Sequence, residues 1–209
     1  MPKELNNSEL KKGYKQPIVF DLFDTLLDES SVYKDFFFNI DKKYNLEMNA
    51  EEFVKKLFNN QHGFIFGNSS KTYKEITKLS YMKLIKQADP NDVKLLFDLY
   101  PKMDFFPGIV ELLLELEKKH DLFILTNIDN DLLEKVNIPA KSKVSFKKIF
   151  TAEDNGVYKP NPRAYQIVAN YIKLPKEKII YVSSNEWDIK KSEEFGFDAK
   201  SIADLKIEK

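Results

Sequence analysis

The sequence predicts an α/β fold: a doubly wound parallel sheet with a Rossmann-like core and an inserted helical cap subdomain. Strand-like apolar runs alternate with helical patterns over residues 103–209, and such alternation implies a parallel sheet with helices on both faces. A second stretch, 30–102, reads as helical throughout and interrupts this alternation. We therefore expect a flexible N-terminal tail at 1–15, a core at 16–29 and 103–209, and a helical cap at 30–102.

The first predicted strand is "PIVFDL", whose β-branched and aromatic residues suit a buried strand. The strand ends on Asp21, and Thr25 follows four residues later. This pattern is typical of a strand that delivers a carboxylate to the edge of a sheet.

Four helical patterns fill the predicted cap. "SSVYKDFFFNIDKKY" begins with serine caps, and "NAEEFVKKLFNN" has Asn49 as its N-cap with Glu52 at capping-box spacing. "SKTYKEITKLSYMKLIKQ" and "DPNDVKLLFDLY" continue the pattern. The two glycines of "HGFIFGN" predict a loop between the second and the third of these helices.

Beyond the cap, helices and strands alternate. "PGIVELLLELEKK" predicts a helix with Pro107 at its start. The strands that follow are "DLFILTN", "FKKIFTA", "KIIYVSSN" and a short last one in "FDAKSIAD". The helices between them are "DNDLLEKV", "PRAYQIVANYIK" and "WDIKKSEEF".

Composition excludes several classes of function. The 209 residues include 33 Lys+Arg and 33 Asp+Glu, so the net charge is zero and no basic patch indicates nucleic acid. The absence of cysteine excludes a disulfide framework and thiolate chemistry. No apolar run is long enough to span a bilayer, and the polar N-terminus is unlike a signal peptide. We expect a cytoplasmic protein without nucleic-acid or membrane partners.

Polar residues end three of the predicted strands, where ligands bind in open α/β sheets. Each alone is more typical of a cap or a solvated loop. Together, two carboxylates, a lysine and several hydroxyl and amide groups match a nucleophile, a base and the groups that orient them. The set comprises Asp21, Thr126, Asn127, Ser183, Ser184 and Asn185 at strand ends, Lys159 in a turn, and Asp188 at the start of a helix.

At these positions the sequence resembles the haloacid dehalogenase superfamily. "FDLFDT", "ILTN", "YKPNPRAY" and "VSSNEWD" resemble its four motifs in order and spacing, and the helical stretch falls where the family places its cap. "SSNxWD" and "KPxPRxY" resemble the L-2-haloacid dehalogenase branch in particular. The resemblance implies a hydrolase that acts on a small-molecule substrate, and it also implies a homodimer.

The resemblance implies a role for each residue of the core. Asp21 would attack the halogen-bearing carbon and form an ester, with Thr25 and Ser183 orienting it. Lys159 would hold Asp21 ionised, with Tyr165 nearby as part of the substrate site.

The remaining residues would position the hydrolytic water or bind the substrate. Asn185 and Asp188 would position and activate the water that hydrolyses the ester. Thr126 would bind the substrate carboxylate. Asn127 and Trp187 would line the halide pocket, although a core aromatic under the last helix is an equally good interpretation of Trp187.

Two positions depart from the phosphatases of this superfamily. Those enzymes carry a second aspartate, a general acid, where this chain has Phe23, and an acidic magnesium ligand where it has Ser184. A phosphoryl site would therefore lack its acid and a metal ligand. Halide leaves without protonation, so we expect no cofactor and no metal. Mg²⁺ enters only under the phosphatase alternative.

Three further departures concern substrate binding. The dehalogenase branch places a cap arginine near the position of Phe58, whereas the single arginine of this chain is Arg163. Lys55 or Lys56 could substitute, without the guanidinium fork. The glycine usual before Thr25 is Asp24, which we expect to turn away and cap the next turn. The aromatic and glutamine pattern usual in that cap is replaced by "NNQHGFIFG". His62 in this stretch could contact substrate, but a lone loop histidine more often lies at the surface.

Three interpretations follow, in this order. The first is a metal-free hydrolase that displaces halide from a small 2-haloalkanoic acid through an ester. The second is a non-catalytic or altered-substrate member of the superfamily. The third is a magnesium-dependent small-molecule phosphatase, against which Phe23 and Ser184 argue.

Overall fold

A five-stranded parallel sheet in the order β3–β2–β1–β4–β5 lies at the centre of the protein. The structure is a computed structural model that describes residues 15–67 and 70–205. The predicted α/β class and each predicted strand are confirmed. The strands are β1 (Gln16–Phe20), β2 (His120–Thr126), β3 (Lys148–Thr151), β4 (Ile180–Ser183) and β5 (Asp198–Ser201).

Helices connect the strands and fill the stretch between β1 and β2. Short 3₁₀ turns occur at Pro90–Asp92, Tyr100–Lys102, Lys176–Lys178 and Ile202–Asp204. The helices are α1 (Glu29–Tyr44), α2 (Ala50–Phe66), α3 (Tyr73–Leu84), α4 (Val93–Leu99), α5 (Ile109–Lys119), α6 (Asn130–Val136), α7 (Ile138–Ser142), α8 (Ala152–Asn155), α9 (Pro162–Ile172) and α10 (Glu186–Phe195).

Residues 29–102, which we name the helical insert, contain α1 to α4. The predicted domain bounds themselves stay a prediction. The predicted tail at 1–15 lies outside the described residues apart from Lys15. In the described part of the chain, no helix combines the length and apolarity needed to cross a membrane.

Strand β1 separates two apolar layers because its side chains alternate between the faces of the sheet. Ile18 and Phe20 belong to a large cluster that includes the buried residues of the insert, whereas Val19 belongs to a smaller cluster with α9. The chain crosses from β1 to β2 on one side and later to β4 on the other. This reversal of strand order opens a crevice at the carboxyl end of β1, where ligands bind in such sheets.

The predicted loop "HGFIFGN" is wrong, because α2 continues through Phe66. Gly63 inside a helix costs roughly 1 kcal/mol relative to alanine, but buried contacts on either side outweigh it. Ile65 is buried, and Gln61 Nε2 donates to Tyr33 Oη and Thr77 Oγ1 at 3.1 and 2.9 Å. Tertiary packing therefore extends the helix to its end at Gly67.

Helix caps in the insert agree only in part with the sequence pattern. Asn49 is the N-cap of α2 as predicted, and its side chain accepts from Glu52 N at 2.9 Å. The predicted serine caps of α1 are wrong, because Asp28 is the N-cap and accepts from Ser31 N at 2.9 Å. A charged acceptor complements the positive end of the helix better than a hydroxyl.

The insert is attached to the core through the N-terminus of α3. Asp129, in the loop after β2, accepts from Tyr73 N and Lys74 N at 2.8 and 3.0 Å. Tyr158 Oη donates to Lys71 O at 2.8 Å beside it. Asp129 is almost completely buried, so this carboxylate caps a helix of the insert from the core.

We expect Asp129→Ala to lower the free energy of unfolding by about 2 kcal/mol, because two charge-assisted hydrogen bonds are lost. Urea denaturation would measure the change. Asp131→Ala is the matched control, since its ion pair with Lys74 is exposed and is expected to contribute about 1 kcal/mol at most. Equal losses in the two variants would contradict the capping role of Asp129.

Candidate active site

Asp21 follows the last residue of β1, and its carboxylate is held by donors from three segments of the chain. Its backbone N donates to Val182 O at 2.8 Å, which fixes it beside β4. Oδ1 accepts from Leu22 N and Lys159 Nζ, both at 2.8 Å. The contacts to Oδ2 come from Thr25 Oγ1 at 3.1 Å, Ser183 Oγ at 3.1 Å and Asn185 Nδ2 at 2.9 Å. This many contacts hold the carboxylate in one orientation.

Lys159 lies between two carboxylates. Its Nζ donates to Asp21 Oδ1 at 2.8 Å, to Asp188 Oδ2 at 2.7 Å and to Tyr181 Oη at 2.9 Å. The side chain is buried, which by itself would lower the pKa of Lys159, but Asp188 and Asp21 more than offset this and raise it. All three hydrogens of the ammonium are therefore committed.

Asp188 is fully buried behind Lys159 and does not line the cavity described below. Its Oδ1 accepts from Tyr165 Oη at 2.6 Å, and its Oδ2 accepts from Tyr181 Oη at 2.8 Å. Burial raises the pKa of Asp188, although Lys159 opposes this shift. Asp188 contacts Asp21 only through Lys159.

Tyr165 does not lie at a position from which it could contact a substrate in the cavity described below. The sequence places it among the substrate-binding residues, but its side chain is fully buried and is not part of the cavity wall. Its hydroxyl holds Asp188 instead. Tyr181 shares this task and is missed by the sequence analysis. Its signal is its place in β4 two residues before Ser183, which puts both side chains on the same face of the sheet.

A cavity of about 90 Å³ separates this cluster from the insert. Asp21, Thr126, Asn127, Lys159, Asn185 and Trp187, all predicted site residues, line it from the core. Phe58, Gln61, His62, Ile65 and Tyr73 line it from the insert. This volume is large enough for a ligand of a few non-hydrogen atoms.

Two hydrogen-bond donors in the cavity wall have no partner. Thr126 Oγ1 and Trp187 Nε1 are both buried and form no hydrogen bond with the described residues. Buried polar groups are normally bonded, so these two are available to a ligand. The indole ring of Trp187 meets the rings of His62 and Phe66 edge-on at 5.8 and 5.3 Å. It therefore lies at the cavity between core and insert, not in the core under the last helix.

Asn127 lines the cavity but is committed to the backbone of Lys159. Its Oδ1 accepts from Lys159 N at 2.8 Å, and its Nδ2 donates to Lys159 O at 3.0 Å. These two bonds fix the turn that carries the lysine. One amide hydrogen of Asn127 remains for a ligand.

Asp24 turns away from Asp21, as predicted. Its two oxygens accept from Ser30 N and Ser30 Oγ, both at 3.1 Å, at the start of α1. Its φ of 54° lies in the left-handed region, which glycine adopts freely and aspartate tolerates. Burial raises the pKa of Asp24.

No arginine or lysine of the insert reaches the cavity within residues 29–67 and 70–102. Lys55 and Lys56 are exposed, and Lys56 pairs with Glu52 at 2.7 Å, so the predicted substitution for the absent arginine is wrong. Phe58, near the predicted arginine position, lines the cavity instead. Arg163 is exposed on α9.

His62 lines the cavity from α2. The prediction of a surface loop residue is therefore wrong for both its secondary structure and its location. Its ring stacks on that of Phe66 with centroids 5.2 Å apart. Burial lowers the pKa of His62, so its imidazole is neutral at neutral pH.

Glu29 is a buried carboxyl group in the cavity wall that the sequence analysis missed. Its Oε1 accepts from Tyr73 Oη at 3.0 Å, and Tyr100 Oη lies at 3.5 Å. Burial, reinforced by Asp24 and Asp21, raises its pKa well above its usual value. An acid in the first turn of a helix is the usual pattern of a helix start, so the sequence carries no signal for this location.

The described residues contain no group of three or more His, Asp or Glu side chains that could hold a metal. Phe23 lines the cavity with an apolar ring. Ser184 is exposed, and its backbone N donates to Thr25 Oγ1 at 2.9 Å. Neither position supplies a carboxylate for magnesium.

Comparisons with known proteins show which family and fold this chain resembles. The model of the family described as haloacid dehalogenase-like hydrolase matches residues 18–202. An (S)-2-haloacid dehalogenase from Pseudomonas fluorescens is 25% identical over 190 residues, which cover 87% of this chain and 82% of that protein. One from Pseudomonas sp. strain YL is 26% identical over 192 residues, with 88% and 81% covered.

A solved structure has the same fold. It is the L-2-haloacid dehalogenase from Xanthobacter autotrophicus with chloropropionic acid covalently bound. The TM-score is 0.71 at 19% identity, and the match covers 88% of this chain and 76% of that one.

Proposed function

The chain belongs to the haloacid dehalogenase-like hydrolase family, and we propose that it displaces halide from a small 2-haloalkanoic acid through an ester on Asp21. The observation that carries the proposal is the unbroken contact of Asp21, Lys159 and Asp188 beside a small cavity. A carboxylate held by fixed donors next to a substrate-sized space is typical of a nucleophile.

In the first step, an oxygen of Asp21 attacks the carbon that bears the halogen. A carbon–oxygen bond forms, and the carbon–halogen bond breaks with its electron pair leaving on the halide. Thr25, Ser183 and Lys159 keep the nucleophile oriented. The unpaired Thr126 hydroxyl is the proposed donor to the substrate carboxylate, and Trp187 Nε1 with Asn127 are the proposed donors to the halide.

In the second step, water attacks the ester carbonyl of Asp21 and releases the 2-hydroxy acid. Asn185, whose amide contacts Asp21 Oδ2, is the proposed residue that positions this water. Asp188 is the proposed base. Because Asp188 does not line the cavity, Lys159 would pass one of its protons to Asp188 and take the proton of the water in its place. The reverse transfer would protonate the leaving alkoxide, which departs as the 2-hydroxy acid. The reaction needs no cofactor. The predicted cytoplasmic location and homodimer stay predictions.

We expect chloride release from L-2-chloropropionate in the presence of EDTA, at a rate that added Mg²⁺ does not change. Chloride would be measured against time, with phosphate release from p-nitrophenyl phosphate and Mg²⁺ as the parallel assay. Turnover of the phosphate ester that depends on Mg²⁺, without chloride release, would refute the proposal in favour of a phosphatase.

An altered substrate is the second candidate, and the charge of the cavity favours it. Three carboxyl groups line the wall, from Asp21, Asp24 and Glu29, whereas Lys159 is the one Lys or Arg of the described residues that does so. A panel of neutral 2-haloamides beside the acids would separate the candidates. Faster halide release from the amides would indicate a neutral substrate.

A further inference from the structure

The cavity has to accommodate negative charge if the proposed function is correct, and the inference that follows rests on it. A 2-haloalkanoate brings one carboxylate and releases a halide. Lys159 has no hydrogen left for either, because Asp21, Asp188 and Tyr181 use all three. The substrate therefore depends on neutral donors in the wall, of which Thr126 and Trp187 are two.

Glu29 has the geometry of a further donor. Both of its contacts, from Tyr73 and Tyr100, are hydroxyls that approach Oε1. Its Oε2 forms no hydrogen bond with the described residues, and the side chain lines the cavity. A proton on Oε2 would have no acceptor except a ligand.

The surroundings of Glu29 favour its neutral form. The side chain is only 6% exposed, and it forms no ion pair within residues 15–67 and 70–205. A buried carboxylate without a cation is costly. The groups that face it are the acids Asp21 and Asp24 and the neutral side chains Tyr33, Tyr73, Tyr100 and His62, while the charge of Lys159 is already shared by two carboxylates.

We propose that Glu29 is a substrate-binding residue that remains protonated at neutral pH and donates a hydrogen bond from Oε2 to an anionic group of the substrate. In this role a neutral carboxylic acid takes the place of a cation in the wall facing Asp21. The raised pKa of Glu29 agrees with this role. Ionisation would remove the donor and add a negative charge beside the anion.

The proposal predicts the direction of a pH effect. Because the protonated form binds substrate, kcat/KM for L-2-chloropropionate should fall by about tenfold per pH unit once pH exceeds the pKa of Glu29. Glu29→Gln keeps a donor that does not ionise, so its kcat/KM should lose this alkaline decline and should exceed that of a variant without a donor at neutral pH. Glu29→Met has no donor and should lower kcat/KM by roughly 10- to 100-fold at neutral pH. This deficit should shrink as pH rises and the wild-type carboxyl group ionises.

A second measurement does not depend on turnover. Infrared difference spectra of wild type minus Glu29→Gln at pH 7 should contain the carbonyl band of a protonated carboxyl group, and this band should disappear as pH rises. An absent band at pH 7, or an alkaline decline that persists unchanged in Glu29→Gln, would overturn the proposal. If the band is present but wild type releases no chloride from any haloacid, the proposed function fails while the protonation of Glu29 stands.

Discussion

Asp21→Asn is expected to abolish halide release, with a loss of roughly 10⁴-fold or more in kcat, a size typical for removal of a nucleophile. An amide nitrogen or oxygen cannot form the ester, and the amide would place its own hydrogens against the donors that surround Asp21. Chloride release from L-2-chloropropionate is the measurement. Asp198→Asn is the matched control, because this aspartate is exposed on β5 and pairs with Lys200.

Mass spectrometry tests the same prediction without relying on rate. Wild-type protein quenched during turnover should carry the added mass of the acid on the peptide that contains Asp21, and the variant should not. Halide release by Asp21→Asn at the control rate would exclude Asp21 as the nucleophile. If neither wild type nor variant releases halide although both are folded, the result would favour the non-catalytic or altered-substrate interpretation.

Lys159→Met is expected to abolish halide release and to lower the free energy of unfolding by about 3–5 kcal/mol, the cost of leaving a buried ion pair without one partner. Asp21 and Asp188 are 6% and 0% exposed, and both would lose their cation. Urea denaturation at pH 7 is the measurement. Lys191→Met is the control, since its pair with Glu194 is exposed to solvent and should contribute little to stability.

The pH dependence of Lys159→Met identifies the cause of its instability. Without the lysine, burial favours the protonated form of Asp188, so its pKa should rise further above that of the unfolded chain. A carboxyl group whose pKa is higher in the folded than in the unfolded chain binds more protons in the folded state. The free energy of unfolding therefore increases as pH falls. The variant should therefore be more stable at pH 5 than at pH 8, and Lys159→Met combined with Asp188→Asn should recover part of the loss. A variant as stable as Lys191→Met would refute the structural role of Lys159.

The sheet and the residues at its edge were predictable because strand ends obey a simple geometry. Parallel strands present their carboxyl ends on one edge, so polar residues that follow them must converge. Asp21, Ser183 and Asn185 come together for this reason. Lys159 joins them from a turn. The resemblance of "YKPNPRAY" to a family motif indicated this position, whereas the spacing of the residues alone could not.

The insert was less predictable because its sequence does not say which side chains face the core. Glu29 was not among the predicted site residues and His62 was predicted in a surface loop, yet both line the cavity. Tyr165 followed the motif spacing correctly, yet its hydroxyl lies behind Asp188 and not at the substrate. The positions of Glu29 and His62 depend on how α1 and α2 pack over the sheet, and that of Tyr165 on how α9 packs beside β4, which no local pattern encodes.

The cap that Asp129 provides for α3 also has a kinetic consequence. If substrate enters by separation of the insert from the core, the buried bonds from Asp129 to Tyr73 and Lys74 oppose that movement at the start of α3, because breaking them would leave a buried carboxylate without its donors. The same cap that stabilises the helix would then slow the opening of the cavity at this point.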